Sequence, residues 1–287
     1  MQLVVAPTVV TDRQGGFIRG LTEENLILYD NNVPVKIHLD DVALPISLVF
    51  VIQTTASAHD VLEKLRKETL LVEPLLTGRG GDAAVMAFAD GAHTMQPFTP
   101  DPDAVSDAIQ NLEVTGEGGS GIDAVVSAIR LLTKHEGDRR RVILLISEKH
   151  DRSSKAKLEF ALASAQRANV TVYSVTFSPF LAPFTNREST PADSNMNLAP
   201  IFGEIRHAAQ KDMADAFAKS TGGRELGFLS KKGLEEAIGK IGEDLHGQYL
   251  ISFQPRNLRA GEFHRIRVEV KGHAEYVART RVGYWAP

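Results

Sequence analysis

The stretch Ile46-Ser47-Leu48-Val49-Phe50-Val51-Ile52 decides the fold. A strand with one wet face alternates apolar and polar residues, whereas a strand covered on both faces reads as a continuous apolar run. This run is of the second kind, so it predicts a parallel sheet between two helical layers. Ala83-Ala84-Val85-Met86-Ala87-Phe88-Ala89 and Val142-Ile143-Leu144-Leu145-Ile146 repeat the pattern, and residues 171–177 give a fourth strand. Between them lie segments of helical spacing. Residues 59–76 carry Val61, Leu62, Leu65, Leu70, Leu71, Leu75 and Leu76, and further helices are expected over 103–112, 122–135 and 158–168. Strands alternating with helices imply right-handed crossovers and a doubly wound, mainly parallel sheet. After Phe177 the rhythm breaks into a Pro-, Asn- and Ser-rich insertion over 178–205. Helices over 206–220, stopped by Gly222-Gly223, and over 232–245 complete an α/β unit at 45–246.

The flanking segments read differently. Residues 1–44 hold short β runs at 3–10, 26–29 and 33–39, separated by Gly- and Asn-rich turns, with Pro34 placing its strand at an edge. Residues 247–287 hold β runs at 249–253, 263–270 and 276–282. Neither segment alone buries a face, so the two are expected to pack together as one antiparallel β-sandwich, with the α/β unit inserted between its halves.

Composition narrows the function. The 287 residues carry 32 Lys+Arg against 36 Asp+Glu, a formal charge of −4, which gives no case for nucleic acid or an anionic membrane. Hydrophobic residues make up 43%, a globular share, and no run approaches the roughly 20 apolar residues of a membrane span. With no cysteine, disulfides, thiolate zinc sites and a cysteine nucleophile are excluded. The first residues, Met1-Gln2-Leu3-Val4-Val5, lack the basic and apolar regions of a signal peptide.

In an open α/β sheet, ligands bind beyond the carboxyl ends of the strands. The loops there are 53–57, 116–122 and 147–154, and their residues carry a resemblance. Val49-Phe50-Val51-Ile52-Gln53-Thr54-Thr55-Ala56-Ser57 resembles the first metal-binding loop of a von Willebrand factor type A domain, which normally reads Asp-x-Ser-x-Ser. Gly118-Gly119-Ser120-Gly121-Ile122-Asp123-Ala124 resembles the second, with Ser120 where a Thr is usual. Leu144-Leu145-Ile146-Ser147-Glu148 resembles the third, with Ser147 in the place of an Asp. Outside this core, Val10-Thr11-Asp12, Gly20-Leu21-Thr22, Gly247-Gln248-Tyr249-Leu250 and Arg281-Val282-Gly283-Tyr284 resemble the leader and tail of the related proteins abundant in Acidobacteria.

The resemblance implies a Rossmann-like fold, an adhesion or protein-interaction role and an extracytoplasmic location; an enzyme is not expected, because no acid/base pair, nucleophile–base set or cofactor loop emerges from the residues. The resemblance also implies a metal-ion-dependent adhesion site built from Gln53, Thr55, Ser57, Ser120 and Ser147. Both carboxylate positions of that site are neutral here. A hard cation needs anionic oxygen to offset its dehydration. The site therefore reads as degenerate, with no cofactor and with Mg²⁺ or Ca²⁺ held only weakly. Asp123, Glu148 and Asp151, with Glu117, are the carboxylates near enough in sequence to rescue it, against their reading as solvated loop and helix-start charges.

Other motifs carry less. The nine histidines show no metal-ligand spacing. Gly118-Gly119-Ser120-Gly121 lacks the Lys of a phosphate loop and the flanking spacers of a nucleophile elbow. Asp82 after Gly80-Gly81 reads as a turn residue, and Arg139-Arg140-Arg141 as a solvated turn. The insertion carries Phe177, Phe180, Leu181, Phe184, Met196, Leu198, Ile201 and Phe202, either folded over the sheet edge or a patch for self-association. The partner is expected to be a protein, and the alternative role is a scaffold with a vestigial site.

Overall fold

The computed structural model describes residues 3–40, 44–66, 75, 80–177, 212–228, 230–255, 259 and 261–286. The amino-terminal strands are β1 (Val4–Thr11), β2 (Leu26–Asp30), β3 (Val33–Val35) and β4 (Ile37–Asp40). The α/β part contains β5 (Ile46–Gln53), α1 (His59–Arg66), β6 (Asp82–Phe88), β7 (Ala92–Thr99), α2 (Pro102–Gln110), α3 (Gly121–Lys134) and β8 (Arg140–Glu148). It continues with α4 (Leu158–Arg167), β9 (Val170–Phe177), α5 (Met213–Thr221), β10 (Glu225–Gly227) and α6 (Lys231–Gly247). The chain ends in β11 (Tyr249–Phe253), β12 (Phe263–Val270), β13 (Val277–Arg279) and β14 (Gly283–Trp285).

Every residue of β5 is buried, as its apolar run requires. It lies at the centre of a sheet in the order β10-β9-β8-β5-β6-β7, parallel throughout except for the antiparallel β6–β7 pair. Ile46, Leu48, Phe50 and Ile52 pack with residues of α1, α2 and α6, while Val49 and Val51 pack with α3, α4 and α5. Each fully buried aliphatic or aromatic side chain contributes about 1.5–3 kcal/mol, so the two-sided burial of β5 anchors the layers. β7 was not anticipated: Ala92–Thr99 mixes polar and apolar residues and none of them is buried, which suits an antiparallel edge strand. The segment 33–39 splits at Lys36 into β3 and β4, and 276–282 gives only β13, with β14 beyond it. The helix expected over 59–76 is described as α1, and the one over 206–220 as α5. Apart from Phe177, which is buried, the apolar residues of the insertion lie outside the described residues.

The outer strands form two antiparallel sheets, β13-β1-β11-β4 and β14-β12-β2-β3. Each mixes strands from both ends of the chain: Ala6 pairs with Ile251, and Leu28 with Val268. One core joins the sheets, with Val4, Ala6, Leu28, Phe253, Ile266 and Tyr284 among its members. Within it, Asp30 accepts from the Tyr284 hydroxyl at 2.7 Å and faces Nδ1 of His264 at 2.8 Å.

The sandwich is tied to the α/β part by desolvated charge. Asp244 of α6, with 0% exposure, pairs with Arg224 and with Arg279 of β13. Arg279 also donates to the carbonyls of Gly222 and Gly223, capping the carboxyl end of α5. Gly222 there takes φ 86°, and a Cβ on Gly223 would run into the Val172 carbonyl, so the glycine pair is needed both for the turn and for the close approach to β9. Arg140, expected in a solvated turn, is buried and donates to the Leu245 carbonyl and to Gln248 Oε1. A run of three charges conceals which member points inward. Asp82 is likewise more than a turn residue, accepting from Ser47 Oγ at 2.7 Å and lying 2.7 Å from His135 Nε2.

Two outcomes follow. Asp244→Ala, which strands two arginines in the seam, is expected to cost about 3–5 kcal/mol in urea unfolding; a loss below 1 kcal/mol would contradict the seam's role. Burial, with Asp244 nearby, pushes the Tyr173 hydroxyl above the ordinary tyrosine range, and burial with the hydrogen bond to Asp30 does the same for Tyr284. The unfolded chain releases those protons near pH 10 while the native state keeps them, so stability falls as pH rises through and above 10. Ultraviolet titration of the native protein should show these two of its five tyrosines silent until the chain unfolds.

Candidate functional site

The carboxyl edge of the sheet is where β5 and β8 end side by side. At the end of β5 lies Gln53, 3% exposed, followed by buried Thr54 and Thr55. An amide has two donors and one acceptor oxygen, and Gln53 uses both ends. Its Nε2 donates to Thr55 Oγ1 at 2.7 Å, and its Oε1 accepts from the Glu148 backbone N–H at 2.8 Å. Thr55 Oγ1 lies 2.9 Å from Ser57 Oγ, extending the chain of hydrogen bonds toward the surface. One side chain thus links the loop after β5 to the end of β8.

The other two expected residues turn elsewhere. Ser147 is 1% exposed, and its hydroxyl donates to the Glu148 carbonyl at 2.8 Å. The Ser120 hydroxyl donates to the Ala89 carbonyl at 2.9 Å, and that carbonyl also accepts the backbone N–H groups of Gly119 and Ser120. The structure therefore brings Gln53, Thr55 and Ser57 into one network that reaches Glu148. Ser120 belongs to a second network, rooted on the loop after β6. Sequence reasoning missed that loop: Asp90 accepts from the Gly118 N–H at 3.0 Å, and a Cβ on Gly116 or Gly118 would collide with its carboxylate. Gly116 and Gly118 are thus explained by close packing against Asp90, Gly121 by its approach to Met213, and Gly119 by its φ of 131°.

The nearby carboxylates are engaged. Asp151 accepts from the Ile122 N–H at 3.0 Å and from Ser154 Oγ at 2.6 Å, so it caps α3 from a different loop. Asp123 accepts from the backbone N–H groups of Lys155 and Ala156, both at 2.9 Å. Reading these two as solvated charges is thus corrected: they fasten the third loop to the start of α3. Glu148 is 4% exposed; its Oε2 pairs with Arg152 at 2.7 Å, whereas its Oε1 is buried without a hydrogen-bond partner. Lys149 contacts Asp212 at 2.9 Å and Glu225 at 2.8 Å. Burial lowers its pKa, but the hydrogen bonds to Glu225 and Asp212 outweigh this and raise it overall. Among the described residues, no group of three His, Asp or Glu side chains converges to hold a metal ion.

The family model for the von Willebrand factor type A domain matches residues 48–150. No curated protein matches the chain. Among solved structures, a von Willebrand factor type A protein from Catenulispora acidiphila superposes with a TM-score of 0.51, covering 98% of this chain and 74% of its own at 13% identity. Proximal thread matrix protein 1 from the mussel byssus gives a TM-score of 0.50, covering 82% of this chain and 50% of its own at 14% identity. At such identities the likeness is one of fold. Sheet order, helical layers and the superposition agree: the α/β part of this chain has the von Willebrand factor type A fold, and within it residues 48–150 are similar to that family's model.

Proposed function

We propose that residues 45–246 act as a non-enzymatic protein-interaction module, carried on a sandwich formed by 1–44 and 247–287. On this reading its contact surface is the edge formed by the loops at 53–57, 116–121 and 147–154, and it works without a bound metal. The observation that carries the reading is the bridging amide of Gln53. The oxygen that would face a cation accepts from Glu148 N–H instead, and the site positions Gln53, Thr55, Ser57, Ser120 and Ser147 include no carboxylate. Neutral donors already engaged in hydrogen bonds do not offset the dehydration of Mg²⁺, so the residues present do not fit that ion. Recognition would then rest on shape and hydrogen bonding by a preformed edge. An extracytoplasmic location accords with the resemblance to the acidobacterial proteins.

One observation favours a second reading. Glu148 Oε1 is buried and unpaired, and a cation beside it would satisfy it. In that case the domain would be metal-dependent, with Glu148 replacing the missing carboxylates.

Calorimetry separates the two. The metal-free reading predicts no binding heat from Mg²⁺, Mn²⁺ or Ca²⁺ up to millimolar concentration, whereas micromolar binding abolished by Glu148→Gln would establish the second reading. A pull-down from an extract of the source organism, run with and without chelator, tests the surface itself. Gln53→Ala with Ser147→Ala should abolish capture that the chelator leaves intact, at a stability cost of about 1–3 kcal/mol. Unchanged capture by that variant would instead favour a scaffold with a vestigial site.

A further inference from the structure

The third loop, Lys149-His150-Asp151-Arg152-Ser153-Ser154-Lys155-Ala156-Lys157, sorts its charges by direction. Its acidic residue, Asp151, turns inward to the Ile122 N–H, whereas Lys149, Arg152, Lys155 and Lys157 are exposed. Lys149 is neutralised by Asp212 and Glu225. Lys155 and Lys157 have no ion-pair partner among the described residues, so the loop presents a surplus of positive charge. Arg152 is the most firmly held of these cations. Its backbone N–H donates to the Gly119 carbonyl at 3.1 Å. Its stem lies along the second loop: Cβ, Cγ and Cδ would each stand 3.8 Å from a Cβ built on Gly119. Its guanidinium meets Glu148 Oε2 at 2.7 Å, yet the side chain is 50% exposed.

A guanidinium carries five donors in a fixed fork, and one carboxylate oxygen occupies only part of it. The backbone under Lys155 is pinned as well, its N–H and that of Ala156 donating to Asp123 at 2.9 Å. A cation on a pinned backbone gives up less freedom on binding. The surroundings narrow the anion. Asp90 and Glu117, exposed on the second-loop side of the same edge, repel a polyanion laid across it. The Glu148 carboxylate beside Arg152 disfavours a dianion such as a phosphate more than a singly charged carboxylate. We propose that the third loop binds an acidic segment of a protein partner, one carboxylate taking the open side of the Arg152 guanidinium and a second the Lys155 ammonium. The inference rests on the reading of the edge as a metal-free contact surface and names the chemistry of its partner.

The test is fluorescence anisotropy of labelled hexaglutamate with the full chain at low ionic strength, with hexaglutamine as the neutral probe. Hexaglutamate is expected to bind, to hold its affinity in chelator and to weaken as salt is added, while hexaglutamine does not bind. Arg152→Gln should weaken binding, but it also strands the buried Glu148 carboxylate and risks unfolding. Lys155→Glu changes an exposed residue and leaves Glu148 paired; it should weaken binding about tenfold or more. Lys271→Glu, the same charge reversal on the sandwich, should leave the affinity unchanged. Absence of hexaglutamate binding, or equal losses in Lys155→Glu and Lys271→Glu, would overturn the proposal. Binding lost in chelator would overturn the metal-free reading and the proposal with it. Capture from the extract separates the two: capture lost with Gln53→Ala and Ser147→Ala but kept in Lys155→Glu leaves the edge standing and overturns the acidic partner alone. Capture kept in both proteins overturns the edge itself.

Discussion

The amide of Gln53 holds the carboxyl edge of the central sheet together. It stands at the end of the central strand, accepts from Glu148 on the neighbouring strand and donates to Thr55 on its own loop. Because it is 3% exposed, these bonds are shielded from competing water, and leaving either end unmade would cost more than making it contributes. On the proposed reading, a neutral group satisfied within the protein draws no ion. On that reading the edge is set in its shape before a partner arrives, which would lower the ordering cost of association. The carboxylates nearby serve the same end, since Asp151 and Asp123 each fasten the third loop to the start of α3.

The position of that edge depends on a second constraint, the seam beneath the opposite parts of the sheet. The sandwich closes only when strands from the two ends of the chain pair, as Val5 does with Ser252. Contacts so distant in sequence are slow to form and carry a loop-closure cost. Once formed, they are locked to the α/β part by Asp244, Arg279, Arg224 and Arg140, whose charges and donors meet carbonyls at the ends of α5 and α6. Arg281 extends this polar layer toward α4. The seam thus pairs helix carboxyl ends with cations, the favourable sense of the helix dipole.

The sequence revealed the layers more readily than the joints. Continuous apolar runs such as 46–52 and 142–146 report burial on both faces directly, so β5 and β8 were legible, and the helices between them followed from spacing. β7 was not, because Ala92–Thr99 is an edge strand of mixed polar and apolar residues, none buried, with no continuous apolar run to mark it. The five candidate positions were proposed by motif, yet only Gln53, Thr55 and Ser57 share one network, while Ser120 answers to Ala89. Partnerships such as Asp90 with Gly118 or Asp151 with Ile122 join residues nearly thirty positions apart, and no local pattern marks them. Arg140 shows the same limit: composition records a charge, and only packing shows it to be buried.

The most direct test of a metal-free edge watches the Gln53 amide itself. In ¹H–¹⁵N spectra of the native protein, the Gln53 side-chain NH₂ and the Glu148 backbone N–H should exchange slowly with solvent and keep their shifts when millimolar MgCl₂ is added. Rapid exchange of both signals, or a saturable displacement of them by Mg²⁺, would show that the amide is free to ligate a cation and would contradict the account.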